Sequence, residues 1–315
     1  MLGRQNEQYS FGDMQAANRI SEKHFILRID REIDWKSISR NLDALYDPKK
    51  GRPSFPPLVM LKTLLLQQWY NLSDPEAEET ICDRLSFQKF LGLSMSDSVP
   101  DETTICRFRN KLVEHGLYEK VFEEINRQLE KKGLIVKQGS IVDASLVKSH
   151  YRASKSEEAK DTDATWTVKQ DKPHYGYKAH VSVDAGSELI RKLEITPAHV
   201  HDSQVFEELV VGDEHVVYAD KGYSGEERKE YLEARGIYCG IMEKAKRGQR
   251  LDRWQEKKNK RISKVRGAVE RCFGILKEHY RYVRVKYGGL KRNRCQLFLL
   301  ASAVNLKRML KLVPA

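Results

Sequence analysis

The chain changes its apolar period once, at Gly133, and that change limits what it can fold into. Before it, apolar residues recur every three or four positions, as in helices with one buried face. After it, short alternating runs appear, the mark of half-buried strands, with helical stretches between them. This order predicts an α/β protein in parts. An all-helical N-terminal domain spans residues 21–136. A second domain spans 137–315 and holds a mixed five-stranded sheet flanked by helices. Residues 1–20 are polar, lack periodicity and read as a flexible tail.

In the helical part, Leu58–Tyr70 is strongly apolar. Ser73-Asp74-Pro75-Glu76 starts a further helix, with a capping hydroxyl, proline in the first turn and then acids; it is expected to run to about Leu91. After a turn at Ser96–Pro100, a helix over Thr103–Leu112 carries Arg107, Arg109 and Asn110. Helix, short turn and a helix with basic and amide side chains resemble a helix-turn-helix DNA reader, although any helical bundle can show this pattern.

In the α/β part, Ser140–Val147 (SIVDASLV) reads as a buried strand with Asp143 inside it. Residues 152–172 read as a polar loop. His174–Asp184 and Glu188–Thr196 alternate and form a hairpin about Ala185-Gly186-Ser187. His201 and Asp202 either border the site or, more simply for Asp202, cap a helix. His215–Ala219 is a short strand ending at Asp220, and Ile237–Ile241 is the last strand. A basic linker then leads to Ser263–Lys277, an amphipathic helix. Its Val265, Val269, Cys272 and Leu276 make one stripe; Arg266, Glu270, Phe273 and Lys277 make a second, about one residue step round. Taken alone, Glu270 is a solvated carboxylate between two cations. Arg292–Leu312 closes the chain as an apolar helix.

Asp143 and Asp220 change that weighing. With the first and fourth strands adjacent, they become neighbours, and the helix can bring Glu270 alongside. Two unit charges about 4 Å apart repel by roughly 4 kcal/mol at an effective dielectric near 20. Three converging carboxylates therefore share protons or hold cations. Oxygen-only ligands suit Mg²⁺ or Mn²⁺, and a pair of such ions is the clamp for in-line phosphodiester chemistry.

Charge points to the same substrate class. Residues 244–294 hold nineteen Lys or Arg against four Asp or Glu, a net of +15 in a chain whose total is +11, so the remainder is net negative. Confined positive charge is the footprint of a polyanion. Lys257, Lys258 and Lys260 within it, with Arg266 and Lys277, are the expected phosphate contacts; Lys178, on the second strand, either meets a phosphate or is simply exposed. The five cysteines are scattered with no C-x-x-C pair, which argues against a zinc site and a disulfide framework and fits a reducing cytoplasm. There is no signal-like apolar core near Met1, and no apolar run nears the ~18 residues of a membrane span.

The motifs IVDAS at Asp143, YADKGYSG at Asp220 and Arg266-x3-Glu270-x6-Lys277 come in this order with GYKAH at Gly176–His180, TPAHVHDS at Thr196–Ser203 and VPDETTICRFRNKL at Val99–Leu112. Together they resemble the DDE transposases of bacterial insertion sequences, most of all the insertion sequence five family, over about Phe11–Leu310. The resemblance implies an RNase-H-like core with Asp143, Asp220 and Glu270 as the catalytic, metal-holding triad. It also implies an N-terminal domain that binds the element's ends. One departure stands out: Ser263 occupies the position of a tyrosine that relatives associate with a displaced base near a hairpin intermediate. The expected activity is divalent-metal-dependent cleavage at element ends and strand transfer into target DNA, with double-stranded DNA as partner and a homodimer on it. A non-catalytic DNA-binding regulator is the alternative; its mark, loss of a triad member, is missing. A nuclease acting on RNA hybrids leaves the N-terminal helices unexplained.

Overall fold

The fold is that of a computed structural model, which describes residues 19–46, 54–151, 161–245 and 248–313. Nearly all of the expected N-terminal tail lies outside them. The chain divides into two units, one running to Lys132 and taking in Phe298 onward, the other Gly133–Leu297.

The first unit is helical. Its helices are α1 (Phe25–Glu32), α2 (Trp35–Leu42), α3 (Pro57–Tyr70), α4 (Asp74–Asp83), α5 (Leu85–Leu91), α6 (Glu102–His115) and α7 (Leu117–Lys131). Helix α3 is buried nearly all round, as its composition demands. Its one buried cation, Lys62, pairs with Asp30 at 2.6 Å, donates to the Phe90 carbonyl and lies over the Trp35 and Phe90 rings, so its desolvation is compensated. The helix expected from Ser73 to Leu91 is broken at Arg84, whose backbone is extended. The Gln88 amide caps the break by donating to the Ile81 and Cys82 carbonyls. The closing helix, α11 (Leu290–Leu312; α8–α10 follow below), belongs to this unit from Phe298 onward, whereas the whole segment was expected in the second domain. Within the unit, the Trp69 indole donates to the Ala303 carbonyl, and Tyr118 and Phe122 pack on Phe298.

The second unit is built on a six-stranded sheet of β1 (Ser140–Lys148), β2 (Thr165–Lys169), β3 (Lys172–Asp184), β4 (Ile190–Pro197), β5 (Val216–Ala219) and β6 (Tyr238–Ile241). The spatial order is β4-β3-β1-β5-β6. The pairings β4–β3 and β3–β1 are antiparallel; β1–β5 and β5–β6 are parallel. This is the RNase-H-like arrangement. The sixth strand corrects the expected five. Strand β2 lies in the stretch read as a loop and pairs with Lys172–Gly176 at the start of β3. Its Trp166 and Val168 face solvent and its threonines are only half-buried, so it carries no buried face and the charged residues around it masked its alternation.

Short α8 (Phe206–Leu209) and α9 (Glu226–Glu233) follow β4 and β5, and α10 (Arg253–Gly274) lies against β1, β3 and β5. One core holds Val142, Val217 and Ala219 of the sheet with Phe206, Leu209 and Leu232 of these helices. Helix α10 starts ten residues before the expected Ser263. Asp252 and Gln255 form a capping box there, so the second half of the basic linker is helix. It ends in a π-turn, Ile275–His279, a geometry frequent at functional sites. Gly176 has φ +154°, and a Cβ there would stand 2.2 Å from the Val147 carbonyl oxygen, so the junction of β1, β2 and β3 admits glycine alone.

Candidate active site

Register assembles the first two members of the expected triad. Ser140 pairs with Val217 and Ile141 with Tyr218 in the parallel β1–β5 ladder. The same offset carried two residues on sets Asp143 level with Asp220, where β5 ends. Asp220 then caps a short 3₁₀ turn, Lys221–Tyr223, its Oδ1 accepting from the Gly222 N–H at 2.7 Å. Asp143 is largely buried. Its Oδ1 accepts from the Ala144 N–H, and its Oδ2 accepts from Arg266 Nη2 at 3.2 Å across from α10. Both side chains of this pair are mostly out of water, at 20% and 14% exposure for Asp143 and Arg266, so the ion pair is poorly screened.

Burial pushes the Asp143 carboxyl above the usual carboxylate range, and the nearby Asp220 charge adds to this, against the pull of Arg266 and the Ala144 N–H. A half-buried carboxyl whose ionisation is hindered by burial and by a neighbouring carboxylate is a place for a cation. Glu270 lies one helical turn beyond Arg266 on α10, exposed and without an ion pair or hydrogen bond among the described residues. Among those residues no three His, Cys, Asp or Glu side chains stand together as a ligand set. The fold thus brings Asp143 and Asp220 together with Arg266 and leaves Glu270 on the neighbouring helix face. The donors are hard oxygens only, and Arg266 Nε is buried without a partner. Both facts suit a divalent cation with a phosphate beside it.

The family comparison decides what such a site belongs to. Residues 135–306 match the family model described as transposase DDE domain, more than half of the chain. The chain belongs to the DDE transposase family. Residues 14–111 match a second model, a transposase domain described as DUF772, which covers most of the helical part. A solved structure, the cryo-EM synaptic complex of piggyBac transposase with hairpin DNA, is similar at 10% identity. It covers 96% of this chain and 73% of that one at a TM-score of 0.41, a likeness too distant to add to the family match. As a DDE transposase, the chain catalyses divalent-metal-dependent DNA cleavage and strand transfer, and DNA is its partner. No helix among the described residues is long and apolar enough to cross a membrane.

Several expected DNA contacts in this transposase have other employment. Arg109 is buried and pairs with Asp74, to which Gln67 also donates, so it holds α4 to α6. Lys178 donates to the Val200 carbonyl and to Asp202, both at 2.8 Å, because a half-buried ammonium takes the nearest oxygens. Asp202 is accordingly no cap; His201 caps that turn, accepting from the Ser203 N–H. Lys258 pairs with Glu243 at 2.5 Å. Arg107, Lys257 and Lys260 are exposed, Asn110 is half-buried, and Lys277 lies half-buried on the π-turn.

Tyr223 is a further residue of this site that the sequence motifs did not single out. Its hydroxyl is buried without a partner, and the charges of Asp202, Asp143 and Asp220, behind burial itself, hold its proton on. Its place three residues after a strand-end aspartate, within YADKGYSG, was the available signal.

Proposed function

We propose that Asp143, Asp220 and Glu270 are the metal-holding residues of this transposase and that the ion is Mg²⁺, with Mn²⁺ as a substitute. The observation that supports this most is the pairing of Asp143 with Asp220 by strand register, with a cationic side chain bridging from α10. A bound divalent cation there supplies activation of the attacking oxygen and stabilisation of the leaving one. The chain's own residues do the rest. Asp143 and Asp220 present fixed oxygens, each oriented by a backbone N–H. Glu270 completes the set when DNA and metal are present, since it sits on the same helix as Arg266 and is free to turn. Arg266 holds a non-bridging phosphate oxygen with the Nε and Nη edges that Asp143 leaves open. Lys277 gives a second phosphate a point charge. The DNA is the element's terminal inverted repeats and the target duplex, held by a homodimer, and the protein works in the bacterial cytoplasm. In the N-terminal unit, Arg107 and Asn110 of α6 face the bases, as arginine and asparagine do in bidentate readout.

The basic segment supplies the sequence-independent part of DNA affinity. Binding to duplex DNA is expected to fall with salt along a log–log line whose slope is about −0.9 per phosphate neutralised. Replacing Lys257 and Lys260 by alanine should flatten that line by about 1.8, as expected for two phosphates. Fluorescence anisotropy across a salt series measures it; a wild-type slope near zero, or one unmoved by the double substitution, contradicts the assignment.

A further inference from the structure

The β2–β3 hairpin turns through Gln170 and Asp171, both in the left-handed region at φ +52° and +59°, and this two-residue turn sets Lys169 directly opposite Lys172. Like charges directly opposite one another on an antiparallel pair destabilise it. Neither lysine has an ion-pair partner among the described residues, and Asp171 at the tip is exposed and pairs with neither. Both lysines line a cavity of about 400 Å³ whose wall includes Lys148, Lys277 and His174 and no Asp or Glu. Ser145 lines it too, two residues along β1 from Asp143, a distance of about 7 Å along the strand. Burial, then the Lys169 charge, hold the Lys277 ammonium below the usual lysine range. Four ammonium groups around one hollow, with no carboxylate to balance them, raise the energy of the empty site and lower it when an anion enters.

We propose that this cavity is a phosphate subsite of the DNA-binding surface and takes a phosphodiester group of the strand that passes the Asp143–Asp220 pair. It rests on the reading of the chain as an enzyme acting on DNA and extends that reading to Lys148, Lys169 and Lys172, which the triad does not require. The three are exposed, so substituting them leaves the fold intact.

The test uses the full chain and a duplex of arbitrary sequence. Lys169→Ala with Lys172→Ala is expected to reduce the log–log salt slope by about 0.9, the share of the one phosphate that the cavity neutralises, and adding Lys148→Ala to weaken binding further without a second step of that size. Arginine at the same positions should restore the wild-type slope, which a merely structural role would not predict. If the wild type binds and cuts DNA while the lysine variants keep its slope, the subsite assignment falls and the transposase reading stands. A wild type that shows no salt-dependent DNA binding removes both. A nucleoside triphosphate that binds in a lysine-dependent manner, with the DNA slope unchanged, would assign the cavity to a small phosphate compound and overturn the DNA assignment.

Discussion

Asp143→Asn, Asp220→Asn and Glu270→Gln are each expected to abolish strand cleavage while leaving a folded protein that binds DNA. Each change keeps the side chain's shape and removes the charge proposed to hold a cation. Loss of one preorganised charged group at a reacting centre typically costs 10²–10³-fold, and a lost metal more, so cleavage should drop by at least about 10³-fold. The basic surface proposed to bind DNA is untouched. Asp143→Asn also has a stability signature. Burial raises the Asp143 carboxyl, so the folded chain keeps its proton to higher pH than the unfolded chain does. Whatever stability that protonation supplies is complete below the unfolded value and is lost as pH rises through the folded one. At neutral pH the wild type therefore carries a buried charge that the asparagine variant lacks, and Asp143→Asn should melt no lower than wild type. Glu278, exposed on the π-turn, is the control: Glu278→Gln should stay active. A cleavage gel and an anisotropy titration on each variant decide. Near wild-type cleavage in any of the three, or loss of DNA binding along with cleavage, contradicts the role.

Arg266→Gln should cost about 10²-fold or more in cleavage, the scale for removing one donor aimed at developing charge. The acidic limb of its pH–rate profile should also move to higher pH. The Arg266 guanidinium lies 3.2 Å from Asp143 and opposes the upward push of burial on that carboxyl. Without it, Asp143 holds its proton longer, and the ionised form needed for a cation appears only at higher pH. Arg266→Lys keeps the charge and loses the fork, so its limb should stay near the wild-type position while its rate remains reduced. A glutamine variant whose limb does not move would mean that the pair seen in the fold has no part in setting the site's charge.

The catalytic half of this fold was legible because its signals are local. Asp143 inside an apolar strand and Asp220 at a strand end are set by pleat alternation and by where the ladder stops. The expected neighbour relation of those strands followed from the order of elements. What the sequence hid were partner choices. Arg109 and Lys178 look like exposed cations in a basic protein, yet Asp74 and Asp202, remote in sequence, take them. Periodicity cannot show which of many lysines a folded chain has already paired. Strand β2 was missed for a related reason: on this edge strand Trp166 and Val168 alternate outward to solvent while the threonines turn inward, the reverse of the apolar-in pattern. The break at Arg84 depends on one amide reaching back to two carbonyls, which no pattern over a helical window registers.

Metal-assisted cleavage of a DNA strand at the Asp143–Asp220 pair, joined by Glu270, is the activity we propose for this site. It is tested most directly by incubating the wild-type chain with a labelled duplex taken from the DNA flanking its coding sequence and resolving the strands on a denaturing gel across a Mg²⁺ titration. The expected result is a discrete cut with a free 3′-hydroxyl that appears with Mg²⁺ or Mn²⁺, vanishes with a chelator and is absent in Asp143→Asn under every ion. Cleavage that persists in the chelator, or that Asp143→Asn performs at the wild-type rate, would contradict it.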